Sequence, residues 1–346
     1  MKHRVIVAGT IASIIAISIF GAITKQTPSF DLGEPTGNKL ISDSLGSEAS
    51  GNFHRISAFT ISNKEVSFGG LGANPADSFE IASITKAFTG ELLRLQIERG
   101  ELDESTTVGD ILGQRVRGFP VETVTMQELA NHTSGLPRLG NIGFKPRLMP
   151  LFDKNPYADI SIDRVIEASS KAKLSSRGEF EYSNLGYALL GHTLAQNADL
   201  SYADLLNRDL LEPLKLTNTA LMIPGSLSSN ATPGYTTSGN KAEPWEMDGF
   251  LPAAGLRSTA HDISVFTQYL LEKGLPPFTW QESSEDPDIK WHNGESFGFS
   301  SMLIISPTDD SAVFVIADVA ESVMPIAETL FTTVQDCPQE KGTHHG

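Results

Sequence analysis

The chain has 346 residues, 40% hydrophobic and 20% charged, with a formal net charge of −16. That acid excess, with no basic patch, excludes nonspecific nucleic-acid binding. Its one cysteine, Cys337, excludes an intramolecular disulfide and any cysteine-built metal site.

Lys2, His3 and Arg4 precede an apolar run from Val5 to about Ile23. A positive start followed by such a run is an export pattern, long enough to span a bilayer. Residues 1–24 read as a signal peptide or an N-terminal membrane anchor. A cut after Ala22 would put Phe20 where a small residue is wanted, which favours the anchor. Either way the remainder is expected outside the cytoplasm, periplasmic or cell-surface. Residues 25–52, rich in Gly, Ser, Pro and Asp, read as a linker. Residues 53–335 read as the folded body and 336–346 as a polar tail.

Within the body, Phe53–Ile61 and Glu65–Phe68 read as strands joined by a Ser62-Asn63-Lys64 turn. Phe79–Ala82 leads into a helix running to about Arg99, where Gly100 stops it. Ile84, Phe88, Leu92 and Leu95 give that helix one apolar face. Val108–Leu112 is a short helix. Thr125 caps another, with Glu128 at capping-box distance. Arg138–Tyr157 is irregular and Pro-rich, a lid or site wall. Helices follow at Ile160–Ser169, Leu185–Gln196 and Ser201–Leu211, then a short extended Thr217–Ile223. Gly255–Ala260 leads into a helix from His261 to Lys273. Trp291–His292, Phe297–Ile305 and Ala312–Val319 read as strands, and Glu321–Val334 as a closing helix. Strands at both ends with helices between predict an α+β fold: an antiparallel β-sheet flanked by helices, with an all-helical insertion.

Ser-x-x-Lys occurs three times, at Ser83/Lys86, Ser170/Lys173 and Ser238/Lys241. Only Ser83 opens a long amphipathic helix. Positions i and i+3 share a helix face, so its hydroxyl and the Lys86 amine can meet. A serine hydroxyl is a weak nucleophile unless a base stands beside it. Lysine serves if burial or a nearby cation lowers its pKa. Alone, the string reads equally as a capping serine and a surface lysine. Tyr182 and Asn184 stand two apart at the opening of a later helix. Tyr182 is a base or proton relay if a cationic Lys86 brings its phenol down. Asn184 can hold Lys86 through one end of its amide and a substrate group through the other.

Ser83-Ile84-Thr85-Lys86, Tyr182-Ser183-Asn184 and His292-Asn293-Gly294 follow one another at intervals of about a hundred residues. With His132-Thr133-Ser134-Gly135-Leu136-Pro137 and Gly255-Leu256-Arg257-Ser258-Thr259-Ala260, they resemble the serine β-lactamase and penicillin-binding-protein superfamily. The likeness is to its class C-like branch of β-lactamases, esterases and D-peptidases, and spans about Phe53 to Val334. It implies a β-lactamase/transpeptidase-like fold and acyl transfer by Ser83, Lys86 and Tyr182. It also implies substrate binding by Asn184, His292, Gly294 and Glu295, with an oxyanion hole made by the N–H groups of Ser83 and Glu295. No cofactor and no metal are implied.

Many β-lactamases of this group carry a lysine where His292 stands, and it helps receive the substrate carboxylate. A histidine of ordinary pKa is only partly charged at neutral pH, and acidifying towards pH 6 would charge it. Glu295 and Phe297 replace residues that tend to be small. The expected function is therefore a serine hydrolase acting on a small ester or β-lactam-like amide. The alternatives are a D-amino-acid peptidase of cell-wall peptides and a non-catalytic, membrane-tethered binding protein on the same fold. Expected partners are a small-molecule ester or amide, or a peptidoglycan-derived substrate. A membrane is added if the N-terminal segment is uncleaved.

Overall fold

Alternation along three adjacent strands sets the architecture. In β2 (Ile56–Ser62), Phe59 and Ile61 point to one core and Ile56 and Ala58 to another. β9 (Ser300–Ser306) and β10 (Ser311–Ala317) sort the same way, with Phe314 and Leu303 on the first side and Val313 and Met302 on the second. Every residue of β9 and β10 is buried, because helices cover both faces of the sheet. The computed structural model describes residues 31–49, 53–143 and 154–336.

β1 (Pro35–Gly37), β3 (Glu65–Leu71), β8 (Lys290–Glu295) and β7 (Gln281–Glu282) complete this antiparallel sheet, in the order β1-β3-β2-β10-β9-β8-β7. Phe59 pairs with Phe314 across its centre, rings 5.5 Å apart. The outer face is covered by α1 (Lys39–Glu48) and α10 (Met324–Asp336). The inner face carries α9 (Ala260–Lys273) and the inserted helices. These are α2 (Thr85–Glu98), α3 (Val108–Leu112), α4 (Met126–Ala130), α5 (Ile162–Ser170), α6 (Asn184–Asn197), α7 (Tyr202–Leu206) and α8 (Leu251–Ala254). The fold is α+β, as the order of elements predicts.

Three expectations are corrected. Residues 25–52 were expected to be a linker, yet β1 and α1 form there. Asn38 caps α1 by accepting from Leu40 N–H and Ile41 N–H, and Ile41 and Leu45, one turn apart, bury against the sheet. Gly69 makes room: a Cβ there would lie 2.6 Å from the Ile41 Cβ. Second, Gly255–Ala260 is more than a lead-in. β6 (Leu256–Thr259) pairs with β4 (Ser78–Glu80) and β5 (Ala220–Leu221) in a separate three-stranded sheet. Third, β8 runs past the expected Trp291–His292 to Glu295. β7 pairs with it at Trp291 and Lys290 only, so on that side His292–Glu295 face no strand.

The apolar N-terminal run and the 337–346 part of the expected tail lie outside the described residues. Among the described residues no helix is long and apolar enough to cross a membrane, and no group of three or more His, Cys, Asp or Glu could hold a metal ion.

Candidate active site

Ser83 lies in a 3-10 turn, Ala82–Ile84, between β4 and α2. The turn is strained. Ala82 is buried at φ +43°, a left-handed conformation costing an L-residue about 1–2 kcal/mol. Packing holds it there: Ile81 N–H donates to the Leu256 carbonyl of β6, and Leu256 N–H donates to Thr85 Oγ1. From the other side comes β8. A Cβ on Gly294 would lie 2.1 Å from the Ile81 carbonyl oxygen, so only glycine lets this strand reach the turn. Gly294→Ala is expected to displace β8 from the Ser83 turn, costing roughly 1–3 kcal/mol of stability and most of the activity. A thermal melt and a kcat measurement on that variant check this.

Lys86 is fully buried in the first turn of α2. Its Nζ stands 2.8 Å from Asn184 Oδ1, 2.7 Å from the Ala253 carbonyl oxygen and 3.2 Å from Ser83 Oγ. Burial, helped by the Arg138 charge, holds its pKa well below the usual lysine value. A neutral amine has two N–H groups and one lone pair. Asn184 and Ala253 accept the two protons, and the lone pair is left for the Ser83 hydroxyl.

Tyr182 O–H donates to Ser83 Oγ at 2.8 Å. The expectation that its phenol is brought down is overturned. Desolvation pushes it up to about 12, against the opposing effects of the Ser83 hydrogen bond and Arg138. The group with the depressed pKa is Lys86, and Tyr182 stays a protonated donor across the neutral range.

Asn184 ties the base to the helical wall. Oδ1 accepts from Lys86, and Nδ2 donates to the Tyr157 hydroxyl at 3.0 Å. That bond takes one of the two Nδ2 protons, and the amide has a second to offer. Tyr157 is buried against Trp245 and Phe250, at the end of the Arg138–Tyr157 stretch read as a lid or site wall, though nothing in the sequence singles it out there.

The His132–Pro137 stretch braces the second motif. His132, buried at φ +59°, accepts the Ser183 N–H on Nδ1 and the Glu181 N–H on its carbonyl. Ser183 Oγ donates to the Pro137 carbonyl while capping α6. Leu185 N–H donates to the Arg138 carbonyl. Arg138 itself is exposed, its guanidinium carbon 5.3 Å from the centre of the Tyr182 ring. The sequence reading missed it because it follows the motif rather than belonging to it.

His292 is 3% exposed, and its Nδ1–H donates to the Asn293 carbonyl at 2.7 Å. Burial and the nearby Lys86 push its pKa down to about 3. The partial charge expected near pH 7 is therefore absent, and acidifying to pH 6 does not supply it. A two-dimensional imidazole NMR spectrum should show His292 as the neutral Nδ1–H tautomer throughout pH 5–8, with no titration step. Glu295, partly exposed beside it, has its carboxyl raised by burial, against the opposing pull of Arg138.

The other two Ser-x-x-Lys strings have no such surroundings. Ser170 Oγ donates to the Ile166 carbonyl of its own helix, and Ser238 Oγ shares a hydrogen bond with Thr236.

A model of the Beta-lactamase family matches residues 57–281, most of the chain. The chain belongs to the beta-lactamase family. It is 24% identical over 302 residues to Protein flp of Staphylococcus aureus strain N315, covering 76% of this chain and 57% of that one. A beta-lactamase of Providencia stuartii is 27% identical over 223 residues, covering 63% and 53%. The chain thus spans little more than half the length of these relatives. Among solved structures, a class C beta-lactamase of Rhodobacter sphaeroides superposes with a TM-score of 0.70 at 19% identity, covering 86% of this chain and 99% of that one. A D-stereospecific amidohydrolase of Streptomyces does so at 0.66 and 18%, covering 81% and 94%. A beta-lactamase/D-alanine carboxypeptidase of Pseudomonas syringae gives 0.71 at 13%, covering 87% and 98%. The chain therefore has the serine-hydrolase fold of the beta-lactamase family.

Proposed function

We propose that this protein is a serine hydrolase that cleaves small esters or related amides through an acyl-enzyme on Ser83. The observation that carries the reading is the buried Lys86 amine, whose two protons have fixed acceptors and whose third position faces Ser83 Oγ. Ser83 attacks the carbonyl carbon while Lys86 takes its proton. The oxyanion forms beside the N–H groups of Ser83 and Glu295, at the point where Gly294 brings β8 against the Ser83 turn. Tyr182 gives its proton to the leaving group and regains one from the Lys86 ammonium. Water then enters, gives a proton to the same base and attacks the acyl carbon, and the acid leaves as that proton passes to Ser83 Oγ.

Substrate choice within this reading rests on the strand wall. His292, neutral and buried, offers no charge to a carboxylate. A β-lactam carboxylate directed at β8 thus finds no cation there, and short esters should turn over faster than penicillins or cephalosporins, while a D-peptidase remains the second reading. We expect kcat/KM for p-nitrophenyl butyrate to exceed that for nitrocefin by at least about tenfold. A tenfold preference for nitrocefin would make the chain a β-lactamase despite its histidine. Absence of any fluorophosphonate adduct would instead favour a non-catalytic binding role. An extracytoplasmic site of action, with or without an N-terminal anchor, belongs to the same proposal and is open to test by cell fractionation.

A further inference from the structure

If the strand wall carries no usable cation, the opposite wall does. Arg138 is exposed, and its guanidinium lies 5.3 Å from the Tyr182 ring, whose hydroxyl is bonded to the nucleophile. Among the described residues no carboxylate lies within ion-pair distance of it; Arg55, Arg117 and Arg257 share this, whereas Arg94, Arg99, Arg115, Arg164, Arg177 and Arg208 each have one. Its backbone is fixed, because its carbonyl accepts the Leu185 N–H at the start of α6. The fold thus places the Arg138 backbone, the guanidinium lies over the Tyr182 ring, and among the described residues its N–H donors have no carboxylate partner.

We propose that Arg138 receives an anionic group of the substrate, a carboxylate or its equivalent, so that the preferred esters or amides are anionic ones. The proposal rests on the hydrolase reading. It reassigns charge recognition from the β8 strand to the His132–Arg138 stretch that follows α4, on the helical side of the site. A planar fork with several N–H donors suits a carboxylate through two parallel hydrogen bonds. Glu295 is the competing acid across the mouth. It is not in contact with Arg138, so an incoming anion does not have to break an existing pair.

The anion can sit on the acyl part or on the leaving group, and two ester pairs separate these. The first is p-nitrophenyl hemisuccinate against p-nitrophenyl butyrate. The second is 4-butyryloxybenzoate against phenyl butyrate. Each anionic ester is compared with its neutral partner on the wild type, Arg138→Gln and Arg138→Lys. Removing Arg138 also alters the field at Lys86, but both members of a pair use the same base, so that effect cancels in the ratio.

The expected result is that Arg138→Gln lowers the anionic-to-neutral ratio of kcat/KM by about tenfold or more in at least one pair, as loss of a charge-assisted hydrogen bond requires. Arg138→Lys should retain an intermediate ratio. The pair that responds tells which part of the substrate carries the anion. If every ester turns over and neither ratio moves by more than about twofold, Arg138 does not read charge and this inference is wrong, with the hydrolase reading untouched. If no ester turns over and Ser83 takes no fluorophosphonate, the hydrolase reading fails first and the inference with it.

Discussion

Ser83→Ala will take up no fluorophosphonate, seen by intact-mass spectrometry, and its ester hydrolysis will fall by about 10⁴-fold or more. The hydroxyl that it removes accepts from Tyr182 and faces the Lys86 amine, and no other Ser-x-x-Lys serine has either partner. Ser170→Ala and Ser238→Ala should leave the adduct and the rate within about twofold, since their hydroxyls bond only to their own neighbourhoods. The folded state should survive Ser83→Ala, because the strained turn is held by Ile81, Leu256 and Gly294 rather than by the serine side chain. A labelled Ala variant would place the nucleophile elsewhere.

The second large effect concerns the base. Lys86→Met and Tyr182→Phe should each cost at least about 10³-fold in kcat/KM, and the double variant about as much as the worse single one. Groups that pass one proton between them fail together. A product of the two losses would mean that they act apart. The pH profile carries the sign. Activity requires neutral Lys86, so kcat/KM rises as pH passes upward through the depressed lysine pKa. Stability moves the same way. Above the folded-state pKa and below the unfolded-state value, the unfolded chain binds a proton that the folded one does not, so stability rises with pH across that window. Lys86→Met should remove this slope, which urea melts between pH 6 and 10 would reveal.

Much of the scaffold was legible because it is written locally. Thr125 and Glu128 form the capping box that their spacing predicts, and Ser201 caps its helix onto Asp204. The α+β order followed from where the alternating segments fall. What escaped depends on tertiary surroundings. Segment 39–48 is short and rich in serine, and only the sheet gives Ile41 and Leu45 something to cover. β6 is four residues long and exists by pairing with β4 and β5. In the site, spacing brought Ser83, Lys86 and Tyr182 to attention, and the fold places Lys86 and Tyr182 each within hydrogen-bonding reach of Ser83 Oγ. Which of them is depressed in pKa could not be read, because that depends on burial. Spacing is silent on the Ala253 carbonyl and the Tyr157 hydroxyl that fix the base. The same holds for His292, whose charge is set by the Asn293 carbonyl and its enclosure.

One pairing also constrains how such a chain matures. At the centre of the large sheet, β2 lies against β10, joining Ile61 to Ala312, about 250 residues apart. Closing a loop of that size precedes any reward from the contacts it makes, so assembly should be slow. During synthesis the first hairpin emerges with an apolar face and no partner until nearly the whole polypeptide is made. A ribosome-bound chain stopped before Ser311 cannot complete the sheet and exposes Phe59 and its neighbours to other chains. Chaperone dependence, and aggregation of C-terminal truncations, are thus built into the strand order.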